Sequence, residues 1–241
     1  MLNCRTKTIM NEGIQAMDVV IGPAAGSLLR SKLSPPQASA DYLARPQVEA
    51  ALSAHPHARL VLFCAPAGFG KTTALARLVE QRRQAGSAVA WLSLGSADDE
   101  PVRFFQQLID ALGRALPGLG DYALGYLRNT MRVPVEAVME SLLVDLSQRS
   151  EPLLLVLDDL HLIQDGELLA ALNRLVKMAP PSFTLAIGSR SQPALSLATL
   201  RAKGLLLELG SDELRLNPEE TRGYLQRSGL RLDPETFGAL Y

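Results

Sequence analysis

The stretch FCAPAGFGKTTAL, Phe63 to Leu75, contains residue types suited to binding a phosphate group. An apolar segment ends at Ala65, a glycine-rich turn follows, and Lys71, Thr72 and Thr73 open a segment that favours a helix. Such a turn can wrap its backbone N–H groups around an anion. The helix N-terminus adds partial positive charge, and a lysine reaches the terminal phosphates. The sequence therefore predicts a phosphate loop that binds a nucleotide.

The residues of this loop have separate expected roles. Gly68 and Gly70 supply backbone freedom nearest the phosphates, where a Cβ would clash or forbid positive φ. Lys71 is expected to contact the β- and γ-phosphates, and the Thr72 hydroxyl to bind Mg²⁺. Ala65 stands where the strict pattern has glycine, but alanine costs little there if it keeps an ordinary β conformation. The predicted nucleotide-binding residues are Ala65, Pro66, Ala67, Gly68, Phe69, Gly70, Lys71, Thr72 and Thr73.

Two carboxylates end a second apolar segment, LLLVLDDLH. A metal–triphosphate site needs a carboxylate at the end of a neighbouring strand, so Asp158 is expected to hold Mg²⁺, directly or through water. Asp159 could orient or deprotonate an attacking water. The alternative for both acids is a turn or a helix cap. His161, two residues later, is interpreted as a structural histidine.

A third apolar segment ends in IGSR. If this strand lies between the strands that carry the loop and the carboxylates, Ser189 and Arg190 emerge beside the γ-phosphate. Arginine there can sense that phosphate through charge-assisted hydrogen bonds. The alternative is an ordinary surface arginine.

Composition limits the class of protein. The 241 residues are 47% hydrophobic with a net charge of −1, so no basic surface favours DNA or RNA binding by this chain itself. The two cysteines, Cys4 and Cys64, give no disulfide framework and fit a reducing, cytoplasmic compartment. No segment approaches the ~20 apolar residues of a membrane helix. The N-terminal segment has a mildly apolar patch, but Asp18 interrupts it, so the segment does not fit a secretory signal.

The elements that must position these residues follow from the pattern of apolar runs. Near-continuous apolar strands alternate with amphipathic helices, which is typical of an α/β fold with a parallel sheet covered on both faces. We predict strands over 59–65, 88–94, 152–160, 183–190 and 204–209. We predict helices over 46–54 and 71–84, from Pro101, from Pro134, over 167–179, after Asn217 and after Asp233.

These elements suggest four parts of the chain. We predict a disordered leader over 1–30, an N-terminal arm with a short helix over 31–57, an ATPase core over 58–210, and the start of a small helical domain over 211–241. Because the last helix is only about two turns long at Tyr241, the sequence is expected to be part of a longer protein.

The segments SKLSPP, APAGFGKTT, LLLVLDDLHLI, AIGSR and LRLNPEET together resemble the MalT-like, LuxR-type ATP-dependent transcriptional activators. These belong to the signal-transduction ATPases with numerous domains, and the resemblance covers residues 31–241. In that family a small residue commonly replaces the first loop glycine, so Ala65 matches. The resemblance implies a P-loop NTPase three-layer sandwich with a five-stranded parallel sheet of order 5-1-4-3-2.

The resemblance also implies a function. Family members are nucleotide switches, with an ADP-held resting form, an ATP-bound form that self-associates, and slow hydrolysis that resets the switch. The motif residues that carry over are Lys71, Thr72, Asp158, Asp159 and Arg190. The arm around Arg45 would flank the adenine. The family's winged-helix, sensor and DNA-binding domains are not in this chain, so DNA would be contacted through a C-terminal domain that it lacks.

Two other classes of function stay open on sequence alone. One is a true enzyme, a P-loop kinase or a turnover ATPase; Arg128 and Arg132, interpreted as a loop between helices, would be thin evidence for a kinase lid. The other is an interaction module that binds nucleotide without catalysis. Turnover separates them, because a kinase or motor ATPase should exceed ~1 per second.

Overall fold

The computed structural model describes residues 31–36, 43, 45–128, 134–230 and 233–238. The predicted leader, residues 1–30, lies outside this part of the chain, and so does Arg132.

Five parallel strands form one sheet. They are β1 (Leu60–Cys64), β2 (Ala88–Ser93), β3 (Leu153–Asp158), β4 (Phe183–Ser189) and β5 (Leu206–Leu209). Their order in the sheet is β2-β3-β4-β1-β5, and every neighbouring pair is parallel. The predicted order 5-1-4-3-2 is therefore confirmed. All five predicted strands are present, each within two residues of the predicted bounds.

The helices connect and cover these strands. They are α1 (Pro46–Ala54), α2 (Lys71–Gln84), α3 (Pro101–Ala115), α4 (Asp121–Arg128), α5 (Val135–Ser147), α6 (Gly166–Met178), α7 (Ala198–Ala202), α8 (Ser211–Leu214), α9 (Pro218–Arg227) and α10 (Pro234–Gly238). The predicted helices are confirmed. The sequence reading missed α4, α7 and α8. Arg128 is the last residue of α4 and not part of a loop.

The sheet lies between two apolar layers, as the alternation along β1 shows. Leu60 and Leu62 pack with the helix residues of α3, α5 and α6 on one face, while Val61 and Phe63 pack with α1 and α2 on the other. Side chains alternate across a strand, so a central strand that is apolar at every position buries both faces. All six residues of β3 are buried. The predicted three-layer sandwich is confirmed.

The three adjacent acidic residues before α3 have three different roles. Glu100 caps α3 by accepting hydrogen bonds from the backbone N–H groups of its first turn. Asp99 accepts hydrogen bonds from the backbone N–H groups of residues 164 and 165. Asp98 is fully buried and accepts hydrogen bonds from Lys32, Arg103, Gln107 and the Gly95 N–H.

The ends of other helices follow the sequence signals. Pro46 occupies the first turn of α1. Asn217 and Glu220 form a reciprocal capping box at the start of α9. Asp233 accepts a hydrogen bond from the Thr236 N–H at the start of α10. Among the described residues, no helix has the length and hydropathy needed to cross a bilayer.

Candidate functional site

The glycine-rich loop joins the carboxyl end of β1 to the first turn of α2. The Ala65 N–H donates to the Ser189 carbonyl at 3.2 Å, which continues the parallel pairing of β1 with β4 past Cys64. Asp159 is the one non-glycine residue with positive φ in the described part of the chain, so Ala65 has negative φ. Ala65 therefore does not need the left-handed conformation that favours glycine, so alanine is tolerated at the strand exit.

Two loop glycines have the left-handed conformation that other residues rarely adopt. Gly68 has φ 86° and Gly70 has φ 74°. A Cβ at Gly68 would meet no atom within 4 Å, so backbone conformation and not crowding explains this glycine. The turn leaves open space beside its backbone, which fits the close approach of a phosphate group.

Lys71 folds back over the loop at the start of α2. Its Nζ donates to the Pro66 carbonyl at 2.8 Å, and the residue is 7% exposed. Burial lowers the pKa of Lys71, while the charges of Asp159 and Asp158 oppose this effect. The ammonium group is thus held within the loop, where a bound phosphate would replace the carbonyl as its partner.

A direct hydrogen bond joins the loop helix to the end of β3. The Thr72 hydroxyl donates to Asp158 Oδ2 at 2.7 Å, and Asp158 Oδ1 accepts from the Asp159 N–H at 3.0 Å. Asp158 is 3% exposed, and burial raises its pKa; the charge of Asp159 raises it further, while Thr72 and Lys71 oppose the shift. A buried carboxylate that lacks a full counter-charge fits a divalent cation.

Gly188 is a residue of this site that the sequence reading missed. A Cβ at this position in β4 would lie 2.3 Å from Asp158 Oδ1 and 2.9 Å from Leu75 Cδ1. Glycine is therefore needed for β4 to pass beside the carboxylate. The signal in the sequence was a glycine inside an apolar strand, which often marks a close approach.

Asp159 has a strained backbone, with φ 59° and ψ 37°. Non-glycine residues in this conformation cluster at functional sites. Its Oδ1 lies 3.8 Å from His161 Nδ1, a buried nitrogen with no hydrogen-bond partner. Burial lowers the pKa of His161, so the imidazole is neutral near pH 7.

Arg190 follows β4 directly and is exposed. Because Ser189 pairs with Cys64 at the carboxyl end of β1, Arg190 lies at the same edge of the sheet as the loop. Its charge acts to lower the pKa of both Lys71 and His161. The structure therefore brings together the sequence-predicted residues Lys71, Thr72, Asp158, Asp159 and Arg190 at the carboxyl edge of the sheet. This is where open α/β sheets bind ligands.

Arg45, which was expected beside the adenine, connects three parts of the chain. Its Nη2 donates to the Leu214 carbonyl at 2.8 Å and to the Arg215 carbonyl at 3.2 Å, at the end of α8. Its Nε lies 3.5 Å from Glu220 Oε2 in α9. Its Nη1 lies 3.8 Å from the position of a Cβ on Gly70. The guanidinium thus lies between the phosphate loop and the helices that follow the sheet.

The residues present fit a magnesium–nucleotide complex better than a metal held by protein alone. No group of three or more His, Cys, Asp or Glu residues is placed to hold a metal ion among the residues that the structure describes. Magnesium is commonly bound by one or two side chains together with phosphate oxygens. Thr72 and Asp158 match that requirement.

A comparison with protein families decides the assignment. Residues 54–195 match the family described as the AAA domain, and this range is more than half of the 241 residues. The chain belongs to the AAA domain family. Its five-stranded parallel sheet and phosphate loop are those of an AAA-type, P-loop ATPase fold.

Solved structures of replication proteins are similar to this AAA domain at low identity. The AMPPCP-bound DnaA from Aquifex aeolicus is 17% identical with a TM-score of 0.41, over 80% of this chain and 53% of that one. Cdc6p from Pyrobaculum aerophilum is 16% identical with a TM-score of 0.49, over 78% and 51%. Domain III of the Thermotoga maritima DnaA is 16% identical with a TM-score of 0.42, over 85% and 80%. The chain spans about half the length of the first two proteins.

Proposed function

We propose that this AAA domain is a regulatory nucleotide switch that binds MgATP and MgADP and hydrolyses ATP slowly. The observation that carries this proposal is the hydrogen bond from Thr72 to the buried Asp158, beside Lys71. It joins the phosphate loop of α2 to the carboxylate of β3 in the arrangement that a magnesium–triphosphate complex requires.

Each residue at this edge then has a role. Lys71 contacts the β- and γ-phosphates, and the backbone N–H groups of Gly68 to Gly70 bind phosphate oxygens. Thr72 and Asp158 hold Mg²⁺, which neutralises phosphate charge when bound. Asp159 orients or deprotonates the attacking water. Arg190 senses the γ-phosphate.

The position of Arg45 supports a switch over a turnover enzyme. Its guanidinium lies near Gly70 of the loop and is bonded to the end of α8 and paired with Glu220 in α9. A change in the loop on nucleotide binding would therefore be transmitted through Arg45 to α8 and α9. A regulatory ATPase needs such a link, because occupancy must alter the position of a neighbouring domain.

The MalT-like resemblance gives the finer part of the proposal. The chain would be the nucleotide-binding module of a LuxR-type transcriptional activator, with the ATP-bound form self-associating. DNA contact would belong to a different domain, as the resemblance implies. The segments APAGFGKTT and LLLVLDDLHLI support this assignment within the AAA domain family.

Thermal unfolding with and without nucleotide tests the proposal. A ligand that binds only the folded chain at a hundred times its Kd adds ~2.7 kcal/mol. For a chain of this size that raises Tm by roughly 5–10 °C. We expect MgADP and MgATP to produce this rise in the parent chain and not in Lys71→Ala.

Lys177→Ala is the matched control, because Lys177 is an exposed lysine on α6. It should keep the full rise in Tm. An unchanged rise in Lys71→Ala would refute the site. Turnover above ~1 per second, or a phosphorylated small molecule as product, would refute the switch in favour of an enzyme.

A further inference from the structure

A cavity of about 420 Å³ opens at the edge of the sheet opposite the phosphate loop. Its lining residues precede or begin the strands β1 to β5. The polar ones are His57, Arg59, Arg82, Ser87, Ser182 and Thr184. Since β1 is five residues long, its length of roughly 16 Å separates this cavity from the phosphate loop. A volume of this size is in the range of small-molecule sites.

Arg59 lies in the wall of this cavity with only part of its guanidinium bonded. Its Nη2 donates to the Ala179 carbonyl, the C-cap of α6. Its Nε is buried and has no hydrogen-bond partner. A buried charged donor without an acceptor is costly. The end of α6 therefore provides an acceptor for Arg59 Nη2 but none for Arg59 Nε.

Arg82 supplies a second cation to the same cavity from the last turn of α2. Burial lowers the pKa of both Arg59 and Arg82, and no carboxylate raises either one. Neither arginine belongs to an ion pair within the described ranges 45–128 and 134–230. Arg45 and Arg77, which are also partly buried, each have a carboxylate partner.

Two partly buried guanidinium groups without a carboxylate favour an oxyanion. The planar donor fork of arginine matches a carboxylate or phosphate with two parallel hydrogen bonds. The hydroxyls of Ser87, Ser182 and Thr184 line the same space and can donate to further oxygens.

We propose that the cavity lined by Arg59 and Arg82 is a binding site for a small molecule that carries a phosphate or carboxylate group. The site is separate from the nucleotide site and does not rest on the function proposed for it. It lies at the amino ends of the strands, while the phosphate loop lies at their carboxyl ends.

The test is an NMR titration of the full chain with anions, in which the signals of the arginine side chains are followed. The chain is saturated with MgADP so that the phosphate loop is occupied. Inorganic sulfate, which stands in for a phosphate group, and acetate are then added separately at constant ionic strength. We expect one anion at least to move the Nε–Hε signals of Arg59 and Arg82 with saturation in the millimolar range.

Variants make the outcome specific to the cavity. Arg82→Gln should weaken anion binding about tenfold or more, because it removes a charge-assisted hydrogen bond. Arg83→Gln is the matched control, since Arg83 is the next residue of α2 and is exposed. It should leave the affinity unchanged. Saturation by sulfate alone would assign a phosphate group, and saturation by acetate alone a carboxylate.

Two results would overturn the proposal: no saturable shift with either anion, or the same affinity in Arg82→Gln as in the parent chain. A failure of the proposed nucleotide site can be distinguished from a failure of the proposed anion site. If the chain does not bind MgADP, the same titration of Lys71→Ala still reports on the cavity, because the signals of Arg59 and Arg82 belong to it.

Discussion

At the scale of single residues, the site depends on one buried carboxylate. Burial raises the pKa of Asp158. At pH values above the pKa that this carboxyl has in the unfolded chain, its ionised form therefore destabilises the folded state. A bound cation would offset that loss of stability. A metal-binding role for Asp158, as proposed, would account for a buried charge that costs stability.

Asp158→Asn tests that balance. The amide keeps the shape of the side chain and removes the buried charge, so the nucleotide-free chain should be as stable as the parent or about 1 kcal/mol more stable. The Mg²⁺-dependent part of ATP affinity should fall about tenfold or more. Titrations of ATP with magnesium and with a chelator measure this difference. Equal losses in both conditions would count against a metal role.

Gly188 has no Cβ and so leaves room for the carboxylate of Asp158. Gly188→Ala puts a Cβ 2.3 Å from Asp158 Oδ1 in a fully packed sheet. We expect a loss of about 2 kcal/mol in the free energy of unfolding, together with weaker MgATP binding. Urea unfolding measures the first effect.

Gly166→Ala is the control for this change. Gly166 begins α6, and a Cβ there would meet nothing within 4 Å. Alanine in this position should be neutral or stabilising by about 0.5 kcal/mol. Equal stability of Gly188→Ala and the parent would mean that β4 can move away from Asp158.

At the scale of elements, Arg45 joins the arm before α1 to α8 and α9. Arg45→Ala removes its hydrogen bonds to the carbonyls at the end of α8 and leaves Glu220 buried without its cation. We expect a loss of about 2 kcal/mol, concentrated in α8 and α9. Hydrogen exchange of the α9 amides should accelerate before that of β1 or β3.

Two further variants separate this clamp from general destabilisation. Arg215→Ala, an exposed arginine beside the same carbonyls, should leave exchange in α9 unchanged. Glu220→Gln should cost less than Arg45→Ala, because the amide oxygen can keep the capping box with Asn217. Uniform acceleration across the whole chain in Arg45→Ala would contradict a local clamp.

At the scale of the whole molecule, Asp98 connects the N-terminal arm to α3. It is fully buried and accepts hydrogen bonds from Lys32 in the N-terminal arm and from Arg103 and Gln107 in α3. Burial acts to raise the pKa of Asp98, but the hydrogen bonds outweigh it and the net pKa is lowered. The ionised carboxylate therefore stabilises the folded chain.

The sign of this shift sets a pH dependence. A carboxylate with a lowered pKa contributes stability above its unfolded pKa of about 4 and loses it as the pH falls through the folded pKa. Asp98→Asn should cost about 3 kcal/mol at neutral pH, and the difference from the parent should shrink below about pH 4. Urea unfolding at a series of pH values measures it.

Asp110→Asn provides the comparison for Asp98. Asp110 forms an exposed ion pair with Arg114 on α3, so its replacement should change stability by less than about 1 kcal/mol at any pH. A constant difference between Asp98→Asn and the parent down to acid pH would show that the charge of Asp98 does not stabilise the fold.

The sequence by itself determined the parts of this protein that depend on local pattern. The apolar runs predicted the five strands that the structure describes, because a central parallel strand must be apolar on both faces. The phosphate loop from Ala65 to Thr73 could be predicted from the sequence, because positive φ at Gly68 and Gly70 favours residues without a Cβ. Helix starts at Pro46, Asn217 and Asp233 followed from local capping chemistry. The strand order came from family resemblance.

Only the tertiary structure decided what depends on contacts between distant segments. Asp98, Asp99 and Glu100 are adjacent acids with similar sequence signals, yet each has different partners. Asp98 and Asp99 each have a partner 66 residues away along the chain. The need for Gly188 arises from Asp158 on the neighbouring strand, and the position of Arg45 from carbonyls about 170 residues later. Packing in three dimensions sets these contacts, and no local pattern encodes a partner so far along the chain.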